Sequence, residues 1–161
     1  MTDNQVSAIV DSPLGKVLLE GHAEGLTKVQ FVAGNSAPTS ALPEELQDGA
    51  IQLQEYFKGE RRQFDLLLAP DGTDFQKQIW DLLQHIPYGK TESYLTLSKR
   101  YGDEKAIRAI AAANGRNPLA IVIPCHRVIG SDGSLTGYAG GLSRKQWLLD
   151  HESPAQQMRL F

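Results

Sequence analysis

Cysteine is almost absent from this sequence: among 161 residues, Cys125 is the only one. A single cysteine excludes an intramolecular disulfide and a thiolate metal cage. Long hydrophobic runs are missing too, because no stretch approaches the ~20 apolar residues of a membrane-spanning helix. Residues 1–5 lack the basic start and apolar run of a secretory signal. These absences predict a globular protein of a reducing compartment, which we take to be the cytoplasm.

Positive charge is scarce in the first part of the chain and more frequent in the second. Residues 1–92 carry 7 Lys and Arg against 14 Asp and Glu, whereas residues 93–161 carry 9 against 5. The net charge of −3 therefore hides a positive C-terminal half, which favours a polyanionic partner for that half. Metal-ligand spacing is also missing, because the four histidines are scattered: His22, His85, His126 and His151. We expect no metal and no cofactor.

The N-terminal part is typical of a small antiparallel sheet with one helix. Short apolar-rich runs separated by turn sequences predict a three-stranded meander from residues 7–10, 16–20 and 26–32. Apolar residues at helical spacing predict a helix over 44–58, and residues 64–68 are a further candidate strand. A break at 70–73 divides the chain into an N-terminal domain, 1–72, and a C-terminal domain, 73–161.

The C-terminal part is predicted to be helical. A helix capped by Thr73 or Asp74 ends before Pro87. A short helix ending near residue 102 and another over 103–114 enclose a glycine turn, which is the helix-turn-helix pattern. Residues 131–134 predict a hairpin turn, and a last helix over 142–151 is expected to pack Trp147 and Leu148. The predicted fold class is therefore α+β, with a winged helix-turn-helix-like C-terminal domain.

The run Pro124-Cys125-His126-Arg127-Val128 places a histidine directly after the only cysteine. The apolar residues 120–123 before it predict a buried strand that holds the cysteine in place. A lone cysteine is often a small buried hydrophobe. Beside a histidine, and with its thiolate stabilised, it is also a candidate nucleophile.

The helix over 104–114 has a distinctive outer face, formed by Lys105, Arg108, Ala109 and Ala112. Small side chains on this face would admit a DNA groove, and an arginine could fill space there or contact phosphate. A solvated helix of high propensity explains the same face equally well.

Six pieces of the second half stand together in order: Pro87-Tyr88-Gly89 with Ser93-Tyr94, the Ala-rich helix with Arg108, Asn117-Pro118, Ile123-Pro124-Cys125-His126-Arg127-Val128, Tyr138-Ala139-Gly140-Gly141-Leu142, and Trp147-Leu148-Leu149 to Glu152. In these pieces and their spacing, the chain from about residue 73 to 152 resembles the catalytic domain of the O6-alkylguanine-DNA alkyltransferases (methylated-DNA–protein-cysteine methyltransferases). The N-terminal domain resembles the family only in general character.

The resemblance implies direct DNA repair by irreversible, stoichiometric transfer of the alkyl group from O6-alkylguanine to Cys125, with O4-alkylthymine as a further candidate substrate. By the same resemblance, His126 accepts the thiol proton and Glu152 orients His126. Tyr94 would donate to the flipped base, and Asn117 would brace the active-site turn. Because no second cysteine could resolve the thioether, each molecule is expected to react once.

The resemblance further implies double-stranded DNA as the partner, bound by a monomer in the minor groove with little sequence preference. Arg108 would fill the gap left by the extruded base. The residues expected to contact DNA are Arg108, Tyr94, Ala109, Ala112, Ser93 and Arg116. The residues expected to form the pocket and its lid are Tyr138, Ala139, Gly140 and Pro124.

Two other functions remain as alternatives. A lesion-binding protein without transfer activity would lack the cysteine, and Cys125 argues against it. A winged-helix transcription factor would explain the helix-turn-helix and the positive half, and would show base-sequence preference in the major groove. It would not explain the Cys-His pair.

Overall fold

Three strands come first in the chain and helices dominate the rest, in a computed structural model that describes residues 4–153. The described residues divide into two units: 4–71 with 118–122, and 72–117 with 123–153. The predicted α+β class is confirmed. No helix within 4–153 is long and apolar enough to cross a membrane.

The first unit is built on an antiparallel meander. Its strands are β1 (Val6–Val10), β2 (Lys16–His22) and β3 (Gly25–Val32), paired in the order β1-β2-β3. Alternation along β2 buries Val17 and Leu19, as expected for a sheet with one covered face. Helix α1 (Glu44–Phe57) buries an apolar face in the same unit. The predicted meander and helix are confirmed, with ends that differ by no more than two residues.

Residues 64–68 do not form the strand expected there. Only Leu68 bridges to a strand residue, Leu26. The Gln52 side chain on α1 donates to the Asp65 carbonyl at 3.0 Å and accepts from the Asp65 amide at 2.8 Å. The backbone of Asp65 is therefore satisfied by a side chain, and the pairing with β3 is limited to Leu26, whose N donates to Leu67 O at 2.9 Å and whose O accepts from Ala69 N at 2.7 Å.

The buried strand predicted for residues 120–123 is also wrong. Leu119 makes an isolated bridge to Val29. The chain then turns, with Val122 N donating to Ala120 O at 2.8 Å and Ile121 at a φ of 72°. A β-branched residue rarely adopts this left-handed conformation. Burial was predicted correctly, but a short apolar run does not by itself distinguish a strand from a buried turn.

The second unit contains the predicted helices. Helix α2 (Asp74–Leu83) begins at a capping box, in which Thr73 Oγ1 accepts from Gln76 N at 3.1 Å and Gln76 Oε1 accepts from Thr73 N at 3.0 Å. Helix α3 (Tyr94–Tyr101) ends at Gly102, whose φ of 104° suits glycine. Asp103 then caps a 3-10 turn that leads into α4 (Ile107–Gly115). The predicted helix-turn-helix is confirmed, and of the two cap candidates for α2, Thr73 and Asp74, the cap is Thr73.

The remaining elements of this unit depart from prediction in three respects. Strand β4 (Glu92–Ser93) pairs in parallel with β5 (Val128–Ile129). The turn at 131–134 forms, with Gly130 N donating to Ser134 O at 2.9 Å, but no second strand follows it in the described chain. Helix α5 (Leu142–Glu152) buries Leu148, whereas Trp147 is half-exposed and stacks on His151 at 4.8 Å between ring centroids.

Candidate active site

Cys125 lies at the start of a single 3-10 turn, Cys125–Arg127, directly before β5. Its side chain is buried, and its backbone N donates to Ile123 O at 2.8 Å. Asn117 Nδ2 donates to the same carbonyl at 2.8 Å and so braces the turn from outside. Pro124, expected in the pocket, is buried beside the cysteine. A short, cross-braced turn fixes the position of the thiol.

His126 and Glu152 form a buried pair. The His126 Nε2 atom is 2.8 Å from Glu152 Oε2, and both side chains are almost fully inaccessible. Burial alone would raise the pKa of Glu152, but hydrogen bonds and charges from His126 and Arg127 outweigh it and lower that pKa. An ionised carboxylate only accepts hydrogen bonds, so Nε2 carries the proton and Nδ1 is left as an acceptor.

The imidazole of His126 is held in its neutral form. Burial lowers its pKa, and the charges of Arg127 and Lys145 act in the same direction, against the opposing effect of Glu152. Its Nδ1 atom is buried and has no hydrogen-bond partner among residues 4–153. A neutral imidazole with an available Nδ1 can accept a proton.

The thiol of Cys125 is protonated at rest, because burial raises its pKa above the ordinary value. A hydrogen bond from the Asn117 side chain and the charge of Lys145 oppose that rise. The site therefore holds a neutral nucleophile that needs a base, together with two groups that stabilise its anion.

Lys145 is the functional candidate that the sequence interpretation missed. Its side chain is fully buried, and Nζ donates to Val128 O at 2.6 Å and to Thr136 O at 2.7 Å. Burial lowers its pKa, although the charge of Cys125 opposes this. A signal was available, because Lys145, Leu148 and Glu152 recur at helical spacing and together form the buried face of α5.

The loop before α5 carries the expected lid residues. The Tyr138 hydroxyl is buried and has no hydrogen-bond partner among the described residues, and burial raises its pKa, so it stays a neutral phenol. Ala139 is exposed, and Gly140 O accepts from Arg144 Nη1 at 3.0 Å. Tyr94 OH donates to Thr136 O at 3.4 Å, which places Tyr94 against this loop.

The residues expected to contact DNA lie on the surface of the helix-turn-helix. Most of them are exposed on α4 or just after it: Arg108, Ala109, Ala112 and Arg116. Ser93 is half-buried and caps α3, because its Oγ accepts from Thr96 N at 3.0 Å. Asn114, at the inner side of α4, is buried and its Nδ2 lies 3.5 Å from Cys125 O. One face of α4 is thus open, and the other reaches the 3-10 turn Cys125–Arg127, called the reactive turn below.

No group of three or more His, Cys, Asp or Glu side chains within residues 4–153 is arranged to hold a metal ion. The features present are a helix-turn-helix with an open alanine face and a buried cysteine beside a histidine–glutamate pair. They define a DNA-binding protein with a reactive cysteine.

Comparison with known families gives a match over nearly the whole described chain. Residues 74–154 match the DNA binding domain of 6-O-methylguanine DNA methyltransferase, and residues 6–70 match the ribonuclease-like domain of the same family. This chain belongs to the 6-O-methylguanine DNA methyltransferase family.

Individual relatives agree over most of their length. A methylated-DNA–protein-cysteine methyltransferase of Methanosarcina acetivorans is 49% identical over 150 residues, which cover 90% of this chain and 96% of the relative. A protein of the same name from Mycobacterium bovis is 44% identical over 147 residues, covering 89% of each chain. A crystal structure of Mycobacterium tuberculosis OGT in complex with DNA superposes with a TM-score of 0.82 at 42% identity, covering 93% of this chain and 96% of the other.

Proposed function

We propose that this protein repairs alkylated DNA directly, by moving the alkyl group from the O6 position of guanine to the Sγ atom of Cys125. The observation that carries the proposal is the buried Cys125-His126-Glu152 series, with 2.8 Å between His126 Nε2 and Glu152 Oε2. Relatives named methylated-DNA–protein-cysteine methyltransferase, 44–49% identical over most of the chain, support it. O4-alkylthymine is proposed as a further substrate.

The transfer needs a thiolate, since a protonated thiol is a weak nucleophile. His126 Nδ1 accepts the proton of Cys125, through one water molecule, while Glu152 holds the opposite ring nitrogen. The bond from Sγ to the alkyl carbon forms as the bond from that carbon to O6 breaks. The electron pair of the broken carbon–O6 bond stays on the guanine, which takes up one proton. A thiol and an alkylguanine thus become a thioether and a guanine.

Two groups stabilise the thiolate while it exists. Lys145 holds a positive charge close to Cys125, and the Asn117 side chain donates a hydrogen bond to the sulfur of Cys125. Tyr94, at the edge of the lid loop, donates to the flipped base in the proposed complex. Nothing in this scheme regenerates the free thiol, so each molecule acts once.

The open face of α4 is the proposed DNA contact. Ala109 and Ala112 allow the helix to approach the minor groove closely, and Arg108 fills the space left by the extruded base. Ser93, Tyr94 and Arg116 are proposed to contact the DNA beside it. The pocket for the flipped base is proposed to be lined by the lid and the reactive turn: Tyr138, Ala139, Gly140 and Pro124.

The proposal extends to the roles of the two domains, the cellular location and the oligomeric state. Residues 1–72 are proposed to form a structural domain, and residues 73–161 the domain that binds DNA and accepts the alkyl group. A buried free thiol suits a reducing compartment, so we place the protein in the cytoplasm, acting as a monomer.

A titration of lesion repair tests the proposal. A duplex carrying one O6-methylguanine is incubated with increasing protein, and the restored guanine is measured by nucleoside chromatography. Restoration should saturate at one guanine per protein molecule and should vary little among flanking sequences. Binding without restoration would indicate a lesion sensor, and strong preference for a base sequence over the lesion would indicate a transcription factor.

A further inference from the structure

Arg127, the residue after His126, is buried, and each of its three guanidinium nitrogens donates a hydrogen bond. Its Nε donates to Glu152 Oε1 at 2.7 Å, and its Nη2 donates to Glu152 Oε2 at 3.0 Å. Its Nη1 donates to the carbonyl of Ile86 at 2.7 Å. The group also lies 5.7 Å from the centre of the Tyr88 ring. The proposed reaction leaves no task for this arginine, although burying a cation is costly.

Glu152 is therefore shared between a histidine and an arginine. The Oε2 atom contacts both His126 Nε2, at 2.8 Å, and Arg127 Nη2, at 3.0 Å. A carboxylate that faced the imidazole alone would stabilise the imidazolium strongly in a buried site. A histidine that already held that second proton could not take one from the thiol.

The charged and titratable groups around the imidazole come from three elements. Glu152 and Lys145 from α5 and Arg127 from the 3-10 turn act on His126 directly. Cys125 precedes His126 in the same turn, and the loop residue Tyr138 interacts electrostatically with Cys125, Arg144 and Glu152. Glu152 favours a protonated His126, whereas Lys145 and Arg127 disfavour it. Arg127 binds Glu152 directly through two hydrogen bonds, whereas Lys145 Nζ donates to the carbonyls of Val128 and Thr136. A guanidinium does not deprotonate, so its compensating charge is present at every working pH.

We propose that Arg127 is a positioning residue that keeps His126 neutral, and hence able to act as a base, by compensating the charge of Glu152. Glu152 can then fix the ring orientation without trapping a proton on it. The consequence for the reaction rests on the proposed function of His126, but the protonation state of His126 is measurable without any reaction.

Nuclear magnetic resonance titration of the histidine side chains tests the inference from pH 5 to 9. Arg127→Gln removes the charge and keeps a hydrogen-bond donor, whereas Arg127→Lys keeps the charge and loses the planar fork. The His126 midpoint should rise by about one pH unit or more in Arg127→Gln and stay near the wild-type value in Arg127→Lys. The signals of His22, which belongs to the first unit, serve as the internal reference.

If Arg127→Gln prevents folding, a second variant still tests the inference. Arg127→Gln combined with Glu152→Gln removes both charges together, so the His126 midpoint should stay within about half a unit of the wild-type value. An unchanged midpoint in Arg127→Gln would overturn the proposal. An equal rise of the His126 midpoint in Arg127→Lys would also overturn it. So would a rise in the double variant as large as the one expected for Arg127→Gln.

The rate of single-turnover alkyl transfer gives the functional readout. In Arg127→Gln the acid limb of the pH–rate profile should move to higher pH. For a rise of one unit in the His126 midpoint, the loss should approach about tenfold only well below pH 6.5 and should disappear toward pH 9. A purely structural role would lower the rate equally at all pH values. Absence of transfer in the wild type would refute the proposed function and would leave the titration of His126 as an independent test.

Discussion

Each unit of the molecule contains an arginine–glutamate pair of nearly the same length, in very different surroundings. In the first unit, Arg61 Nε lies 2.8 Å from Glu55 Oε1, and the side chains are 28% and 38% exposed. In the second, Arg127 Nε lies 2.7 Å from Glu152 Oε1, and the side chains are 8% and 1% exposed. The Nε–Oε1 distances are nearly equal, but only the second pair has been taken out of water.

Across their described residues, the two units also differ in how many ionisable side chains they bury. The buried polar side chains of the first unit are Thr27 and Gln52, neither of which ionises. The second unit buries four that can carry charge: His126, Arg127, Lys145 and Glu152. Hydrophobic residues of similar volume would often stabilise a core at least as well. The buried charges therefore support the chemistry proposed for the second unit.

The largest expected effect comes from the nucleophile itself. Cys125→Ser should lower alkyl transfer on the order of 10³-fold or more, because a hydroxyl is a much poorer nucleophile than a thiolate. Single-turnover assays on O6-methylguanine duplexes measure the loss, and gel shift should show DNA binding retained. Substantial transfer by the serine variant would place the acceptor elsewhere.

The two glutamates test the comparison of ion pairs directly. Glu152→Ala should cost about 3–5 kcal/mol of unfolding free energy, because it leaves Arg127 buried and uncompensated. Glu55→Ala, the matched control in the first unit, should cost about 0–1 kcal/mol. Urea denaturation measures both. Equal losses would mean that burial does not distinguish the pairs.

Exposed cations of the two units should differ in their effect on repair. Arg108→Ala should slow transfer about 10- to 100-fold, because unstacking a base costs a few kcal/mol and the arginine offsets part of it. Lys58→Ala removes an exposed charge at the end of α1 in the first unit and should change the rate less than about twofold. A comparable loss in both variants would indicate unspecific attraction to DNA.

The smallest expected effect is a pH dependence of stability that originates in the second unit. Because the pKa of His126 is lowered in the folded state, the unfolded chain binds an extra proton below about pH 6.5 and stability falls there. Glu152, whose pKa is also lowered, adds a loss below about pH 4.5. The slope for one proton is at most about 1.4 kcal/mol per pH unit.

The raised pKa of Cys125 acts at the other end of the range. Above about pH 9 the unfolded thiol releases its proton while the folded one keeps it, so stability falls again. Urea unfolding from pH 5 to 10 measures both limbs. Cys125→Ala should remove the alkaline limb and keep the acid one, and stability that rises from pH 7 to pH 5.5 would contradict the assignment of His126.

Features that a specific pattern of neighbouring residues encodes were predicted from the sequence, and features without such a pattern were not. The capped start of α2 at Thr73 and the glycine stop at Gly102 are encoded within a few residues, and both were predicted correctly. The turn at 120–123 was taken for a strand, since apolar content alone does not specify backbone geometry. Lys145 was missed because a lysine on a helix is usually solvated, and its acceptors, Val128 O and Thr136 O, are distant in sequence.

We propose that the buried charges of the second unit make Cys125 an alkyl acceptor. Peptide mass spectrometry after incubation with a duplex carrying one O6-methylguanine tests it most directly. We expect a gain of one methyl group on the Cys125 peptide, saturating at one per protein molecule. Lesion binding with no mass gain on that peptide, or a methyl group on any other residue, would contradict it.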